Sequence, residues 1–120
     1  VEAIQQLEAI AAVSGVDALF VGPGDLSGTM GHVGQLTHPD VMAQMADAAR
    51  RCHTLGMPIG TVGGTPEVVA QYRSIGYDFV AVASDLGLLM HAAQGAAAAL
   101  RAIDAASAPA AEPPKQQSGY

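Results

Sequence analysis

Three short apolar runs constrain this chain more than any other feature: VDALFVG at 16–22, PIGTV at 58–62 and FVAVAS at 79–84. Each is followed at once by Pro, Gly or Asp, and segments with helical spacing lie between them. Strands that are apolar almost throughout and alternate with helices belong to parallel sheets, because a strand with one wet face would alternate apolar and polar residues. Right-handed crossovers then carry the helices over the sheet.

The helical segments carry their own start and stop signals. Ile4, Leu7, Ile10 and Ala11 give residues 1–13 an apolar face, and Ser14-Gly15 ends it. Thr37 or His38, followed by Pro39 and Asp40, opens the next helix, whose inner face is Val41, Met45, Ala48, Ala49 and Cys52 and which Leu55-Gly56 closes. Thr65 reads as an N-cap with Pro66 at the first helical position, and Gly76 as the stop. A last helix is expected over about 86–105, capped by Asp85 or Ser84. The expected order is α-β-α-β-α-β-α.

Three strands are few for a parallel sheet. Doubly wound sheets usually have about five or more, and a (β/α)8 barrel takes about 250 residues, so sheet neighbours are expected to be missing from these 120 residues. The chain begins with Val inside a helical pattern, which reads as a fragment. Residues 1–105 are expected to fold, and 106–120, ASAPAAEPPKQQSGY, to form a disordered Pro/Ala/Gln-rich tail.

Charge narrows the partners. Five basic residues stand against eleven acidic ones, a net charge of −6, with no basic stripe for nucleic acid or an anionic membrane. Cys52 is the single cysteine, so the chain contains no disulfide and the thiol reads as a small packing residue. No apolar run approaches the roughly 20 residues of a membrane span, and no basic n-region opens the chain. A cytoplasmic location is the expectation.

In parallel α/β folds ligands sit at the carboxyl ends of the strands. Those ends are GPGDLS, TVGGT and ASD, and from the residues alone Asp25 reads either as the cap of a short turn over 26–30 or as a metal ligand. GTVGGTPE at 60–67 looks like a Gly-rich anion loop opening a helix, yet it has no P-loop Lys and does not fit G-x-G-x-x-G. His32 reads as a loop or rim residue, His38 as local structure at a helix start, and His53 and His91 as solvated or interface residues. Asp17 reads as structural, and Tyr72 and Tyr77 as packing residues.

At these strand ends the sequence resembles the metal-dependent pyruvate aldolases of the HpcH/HpaI aldolase family. GVDALFVGPGDLSGTMGHVGQLTHPDV, 15–41, is similar to the family segment in which a Gly-Pro-x-Asp-Leu turn precedes Gly-His and then His-Pro. GYDFVAVASDLGLL, 76–89, is similar to its final strand. The resemblance is expected to run from about residue 10 to 104 and to cover the C-terminal part of the family only. It implies about units 6–8 of a (β/α)8 TIM barrel.

The resemblance also implies a chemistry: cleavage of 4-hydroxy-2-oxo acids to pyruvate and an aldehyde through a metal-stabilised enolate. The cofactor would be Mg²⁺, Mn²⁺ or Co²⁺, with Asp25 as metal ligand and Gly24, Asp25 and Val62 as substrate-binding residues. The family's base and Arg have no counterpart here, so no catalytic residue is assigned within the chain, and neither Glu2 nor Glu8 is promoted to second ligand. The isolated chain is therefore expected to be inactive as an aldolase. Small 2-oxo acid and aldehyde substrates, and a homo-oligomer in which the last helix is exchanged between subunits, are the implied partners, with no nucleic acid and no membrane. Gly24 stands where the family commonly has Ala or Ser, and Val62 stands at a position lining the aldehyde side, which leaves the acceptor open. The rival expectation is a non-catalytic α/β module binding a phosphorylated ligand at 60–67.

Overall fold

The computed structural model describes residues 1–107; of the tail expected over 106–120, residues 106 and 107 belong to the last helix and 108–120 lie outside the described residues. The elements in order are α1 (Glu2–Gln5), α2 (Leu7–Ala11), β1 (Leu19–Val21), α3 (Pro23–Thr29), α4 (Pro39–Thr54), β2 (Ile59–Val62), α5 (Pro66–Ser74), β3 (Phe79–Ala81) and α6 (Asp85–Ser107). The opening helix is broken at Gln6, whose backbone leaves the helical region at φ −99°, ψ 17°. A short helix, α3, forms where the sequence suggests only a turn.

The three strands lie in the order β1-β2-β3, all parallel. Val21 pairs with Thr61, and Thr61 with Val80, so the carboxyl ends of all three strands reach one edge of the sheet. The parallel α/β arrangement expected from the sequence is present. The (β/α)8 barrel is not: the sheet is open. Hydrogen bonding in a single line leaves β1 and β3 each with an outer edge, whereas closure needs the tilt and shear of about eight strands.

Strand alternation sorts the side chains. Ile59 and Thr61 are fully buried, and Leu19, Val21 and Val80 are half-buried on the same face against the helices. The opposite face carries the row Phe20–Gly60–Phe79, with Phe20 55% and Phe79 44% exposed. The strands are therefore not apolar because both faces are covered; among the described residues, one face is covered and the other is not. The expected inner face of α4 is borne out, with Val41, Met45, Ala48, Ala49 and Cys52 all buried. Gly76, at φ +103°, stops α5 in the left-handed region that favours glycine.

The chain divides into two compact units at Ser84. In the second, α6 has no buried residue and exposes Leu86, Leu88, Leu89, Leu100 and Ile103. Contrary to the expectation from the sequence, this 23-residue helix is long and apolar enough, by length and composition, to cross a membrane. Its Arg101 and Asp104 would be costly there.

Candidate functional site

The turn after β1 is built from a few residues. Gly22, extended at φ −82° and ψ 108°, is the N-cap of α3, and Pro23 takes the first helical position, where its missing N–H costs nothing. The buried Ser27 hydroxyl donates to the Gly24 carbonyl at 2.8 Å and ties down the first turn. Leu26 points into the core. Asp25 is therefore not the cap but lies inside the first turn, where the helix dipole favours an anion. Its Oδ2 lies 3.2 Å from where a Cβ on Gly22 would be, so glycine at 22 leaves room for the carboxylate to fold back over the turn.

Beside it is an apolar cavity of ≈ 260 Å³, walled by Ile4, Leu7, Phe20, Val21 and Leu26 among others. Among the described residues, Asp25 is the one acidic side chain on that wall. Gly24 is exposed and Val62 ends β2 at 37% exposure; neither lines the cavity. Of the three residues singled out in the sequence, only Asp25 meets the cavity.

A second cluster is the one the sequence reading missed. Gly31 and Gly34 turn the chain after α3 at φ +81° and +76°. Backbone bonds from His32 to Ser27, from Gln35 to His32 and from His38 to Gln35 then fold 30–38 into consecutive turns. His32 and His38 come to stack, ring centroids 3.6 Å apart and 15° from parallel. Asp40 Oδ2 lies 3.5 Å from His32 Nε2 and 3.8 Å from His38 Nδ1. One donor atom from each residue lies within 4.8 Å of the others, a set able to hold a metal ion. The signal available in the sequence was H-x5-H-x-D within a Gly-containing helix connection. His38 is also the N-cap of α4, accepting from the Asp40 N–H, so its reading as local structure is correct but incomplete.

Two N–H groups at the Gly-rich loop 60–67 and the helix start behind it are already taken. The Gly63 N–H bonds the Ala81 carbonyl and the Val68 N–H bonds the Thr65 hydroxyl. Glu67 occupies the first turn of α5, its carboxyl held below the usual range by its own backbone N–H and by Thr65. His53 pairs with Asp78, and His91 is exposed. Asp85 begins α6 and accepts from the Leu86 N–H at 2.8 Å. Glu8, declined as a ligand, is bound by Arg51. Burial pushes the Cys52 thiol up, which keeps it unreactive.

The HpcH/HpaI aldolase/citrate lyase family model matches residues 1–92. A 2-dehydro-3,6-dideoxy-6-sulfogluconate aldolase from Pseudomonas putida is 54% identical over 106 residues, 88% of this chain and 42% of the relative. A hydroxypyruvate/pyruvate aldolase from Cupriavidus necator is 41% identical over 95% of this chain and 42% of the relative. The crystal structure of an HpcH/HpaI aldolase/citrate lyase family protein from Burkholderia cenocepacia superposes with a TM-score of 0.71 at 38% identity, covering 82% of this chain and 38% of that one. The chain spans about 42% of the length of these curated relatives. The expected extent of the resemblance needs correction. It begins at residue 1 and takes in α1 and α2, so it covers nearly the whole chain and is not a likeness confined to a C-terminal piece.

Proposed function

The chain belongs to the HpcH/HpaI aldolase/citrate lyase family, and from that premise we propose that it serves a metal-dependent aldolase cleaving 4-hydroxy-2-oxo acids to pyruvate and an aldehyde. The observation that carries this reading is Asp25, a carboxylate folded over Gly22 on the wall of an apolar cavity at the carboxyl end of β1. A divalent ion (Mg²⁺, Mn²⁺ or Co²⁺) held there would supply the Lewis acidity that such a cleavage requires. Asp25 contributes a charged oxygen suited to a hard cation. The Gly24 N–H, in the first helical turn, has no carbonyl of its own helix to bond and can donate to a substrate oxygen. Val62, at the end of β2, lines the aldehyde side in this reading.

One carboxylate does not complete such a site. The second ligand, the base and the cation that steadies the developing charge lie outside these residues in our proposal, and the isolated 120-residue chain is inactive. A homo-oligomer is part of the same reading, supported by the exposed apolar residues of α6. So is a cytoplasmic location.

The test is Asp25→Asn in the full-length enzyme, assayed for pyruvate release with Mn²⁺ and Co²⁺ at saturation. Exchanging a charged oxygen for an amide of nearly the same shape is expected to lower turnover at least about a hundredfold. Turnover at the wild-type rate would sink the assignment. Against the rival phosphate-binding module weigh the Glu67 carboxylate in the α5 first turn and the loop N–H groups already spent on Ala81 and Thr65.

A further inference from the structure

We infer that His32, His38 and Asp40 form a second metal site, selective for an imidazole-preferring divalent ion such as Zn²⁺ and separate from Asp25. The donor set is two nitrogens and one carboxylate oxygen, which suits Zn²⁺, Co²⁺ or Ni²⁺ and not the all-oxygen preference of Mg²⁺. Donors that share one tetrahedral ion at ~2.0–2.2 Å stand roughly 3.3–3.6 Å apart. Asp40 Oδ2 is already 3.5 and 3.8 Å from the two imidazole nitrogens, so those gaps need to close by only a few tenths of an ångström.

The remaining adjustment is between the rings. Stacked imidazoles hold their lone pairs in nearly parallel planes about one ring thickness apart, so the stack must open for both to meet one ion. Two features allow it. Both imidazoles are about a quarter exposed, with His32 at 25% and His38 at 28%. His32 is also carried between Gly31 and Gly34, while His38 and Asp40 are fixed by the start of α4. His38 Nδ1 now accepts the Asp40 N–H at 3.2 Å, a long bond, and ligation through that atom would exchange it for the ion.

Charge points the same way. Among the described residues the ion-pair partners of Asp40 are these two histidines, with no Lys or Arg between them. Three protein ligands leave a fourth position open for water or a small anion. The site shares no residue with Asp25. Asp25 sits in the first turn of α3 and His32 beyond its end, with the four helical residues Leu26 to Thr29 between them, about 6 Å at ~1.5 Å per residue, followed by Met30 and Gly31. An ion held here would clamp the 30–38 connection to the first turn of α4.

The experiment uses the full chain without substrate, so it is independent of aldolase activity. Co²⁺ is titrated as a spectroscopic probe and then displaced with Zn²⁺ followed by calorimetry. The expected result is saturable 1:1 binding with visible cobalt bands of a nitrogen-containing site. Affinity should fall at least about tenfold in His32→Gln and in His38→Asn, and Asp25→Asn should leave it unchanged. Asn is itself a good N-cap, so His38→Asn keeps the α4 start and separates ligation from folding. Unchanged affinity in His38→Asn, loss of affinity in Asp25→Asn, or no saturable binding by the wild-type chain would each overturn the site.

Discussion

The buried Thr61 hydroxyl donates to the Val21 carbonyl at 2.8 Å, fastening the last residue of β1 to β2 just before the turn that bears Asp25. A cross-strand side-chain bond at this point fixes where the Gly22–Pro23 turn leaves the sheet. Thr61→Val removes the hydroxyl and leaves the half-buried Val21 carbonyl short of a donor. Stability should fall by about 1–3 kcal/mol, and Thr61→Ser should recover most of the loss. Chemical denaturation of the three proteins checks this; equal stability of the Val and Ser variants would contradict it.

Gly60 answers to Phe79 in a similar way. A Cβ at Gly60 would sit 2.0 Å from Phe79 Cε2, so the ring lies where only glycine permits it and approaches Phe20 at 6.2 Å between centroids. Phe79 is 44% exposed and can swing outward, so Gly60→Ala should cost only about 1 kcal/mol, near the low end for overpacking. In a Phe79→Ala background the same substitution should cost almost nothing. A double-mutant cycle measures that coupling, and additive effects would show that the ring is not what Gly60 accommodates.

These two contacts mark what the sequence does and does not reveal. The face of α4 was readable because a buried helix face repeats every 3.6 residues, and Val41 to Cys52 obey that period. Thr65-Pro66 was readable because capping is local chemistry, and the Thr65 hydroxyl does accept the Val68 N–H. The α3 helix was hidden: Gly24 and Gly28 are poor helix formers, and what holds it is the burial of Leu26 together with the Ser27 bond to Gly24. The break at Gln6 leaves the apolar period intact, so periodicity does not detect it. The exposure of Phe20 was hidden for another reason, since an apolar strand does not say which of its faces is covered. His32 and Asp40 were read apart because only the turns between them bring them together.

Two buried tyrosines should respond oppositely to losing their hydroxyls. Tyr77 donates to the Met45 carbonyl at 3.3 Å, while the Tyr72 hydroxyl is buried with no partner among the described residues. Burial raises the pKa of both phenols, so both stay neutral in ordinary buffers. Tyr77→Phe should lose about 1 kcal/mol, whereas Tyr72→Phe should be neutral or slightly stabilising because it removes an unsatisfied polar atom. Thermal midpoints of the two variants decide it, and a clear drop for Tyr72→Phe would mean that its hydroxyl is bonded.

The last prediction concerns acid. Arg51 grips Glu8 with a fork, Nε donating to Oε1 at 2.7 Å and Nη2 to Oε2, and so joins α2 to α4 across 43 residues of sequence. The bond to Arg51 is the main cause that holds the Glu8 carboxyl at about 2, against an ordinary value of 4.5. A carboxylate whose folded pKa is depressed gives stability that is fully present above its unfolded value and disappears as pH falls through the folded one. The contribution of Glu8 should therefore be constant above pH 4.5 and decline towards pH 2. Both groups face solvent, so the effect should be modest and should shrink with added salt. The check is the thermal midpoint of wild type and Glu8→Gln as a function of pH at low salt. Wild type should be the more stable at pH 6, and the two should converge as the pH approaches 2. A gap that stays constant down to pH 2, or widens there, would mean that the fork is not the source of the difference.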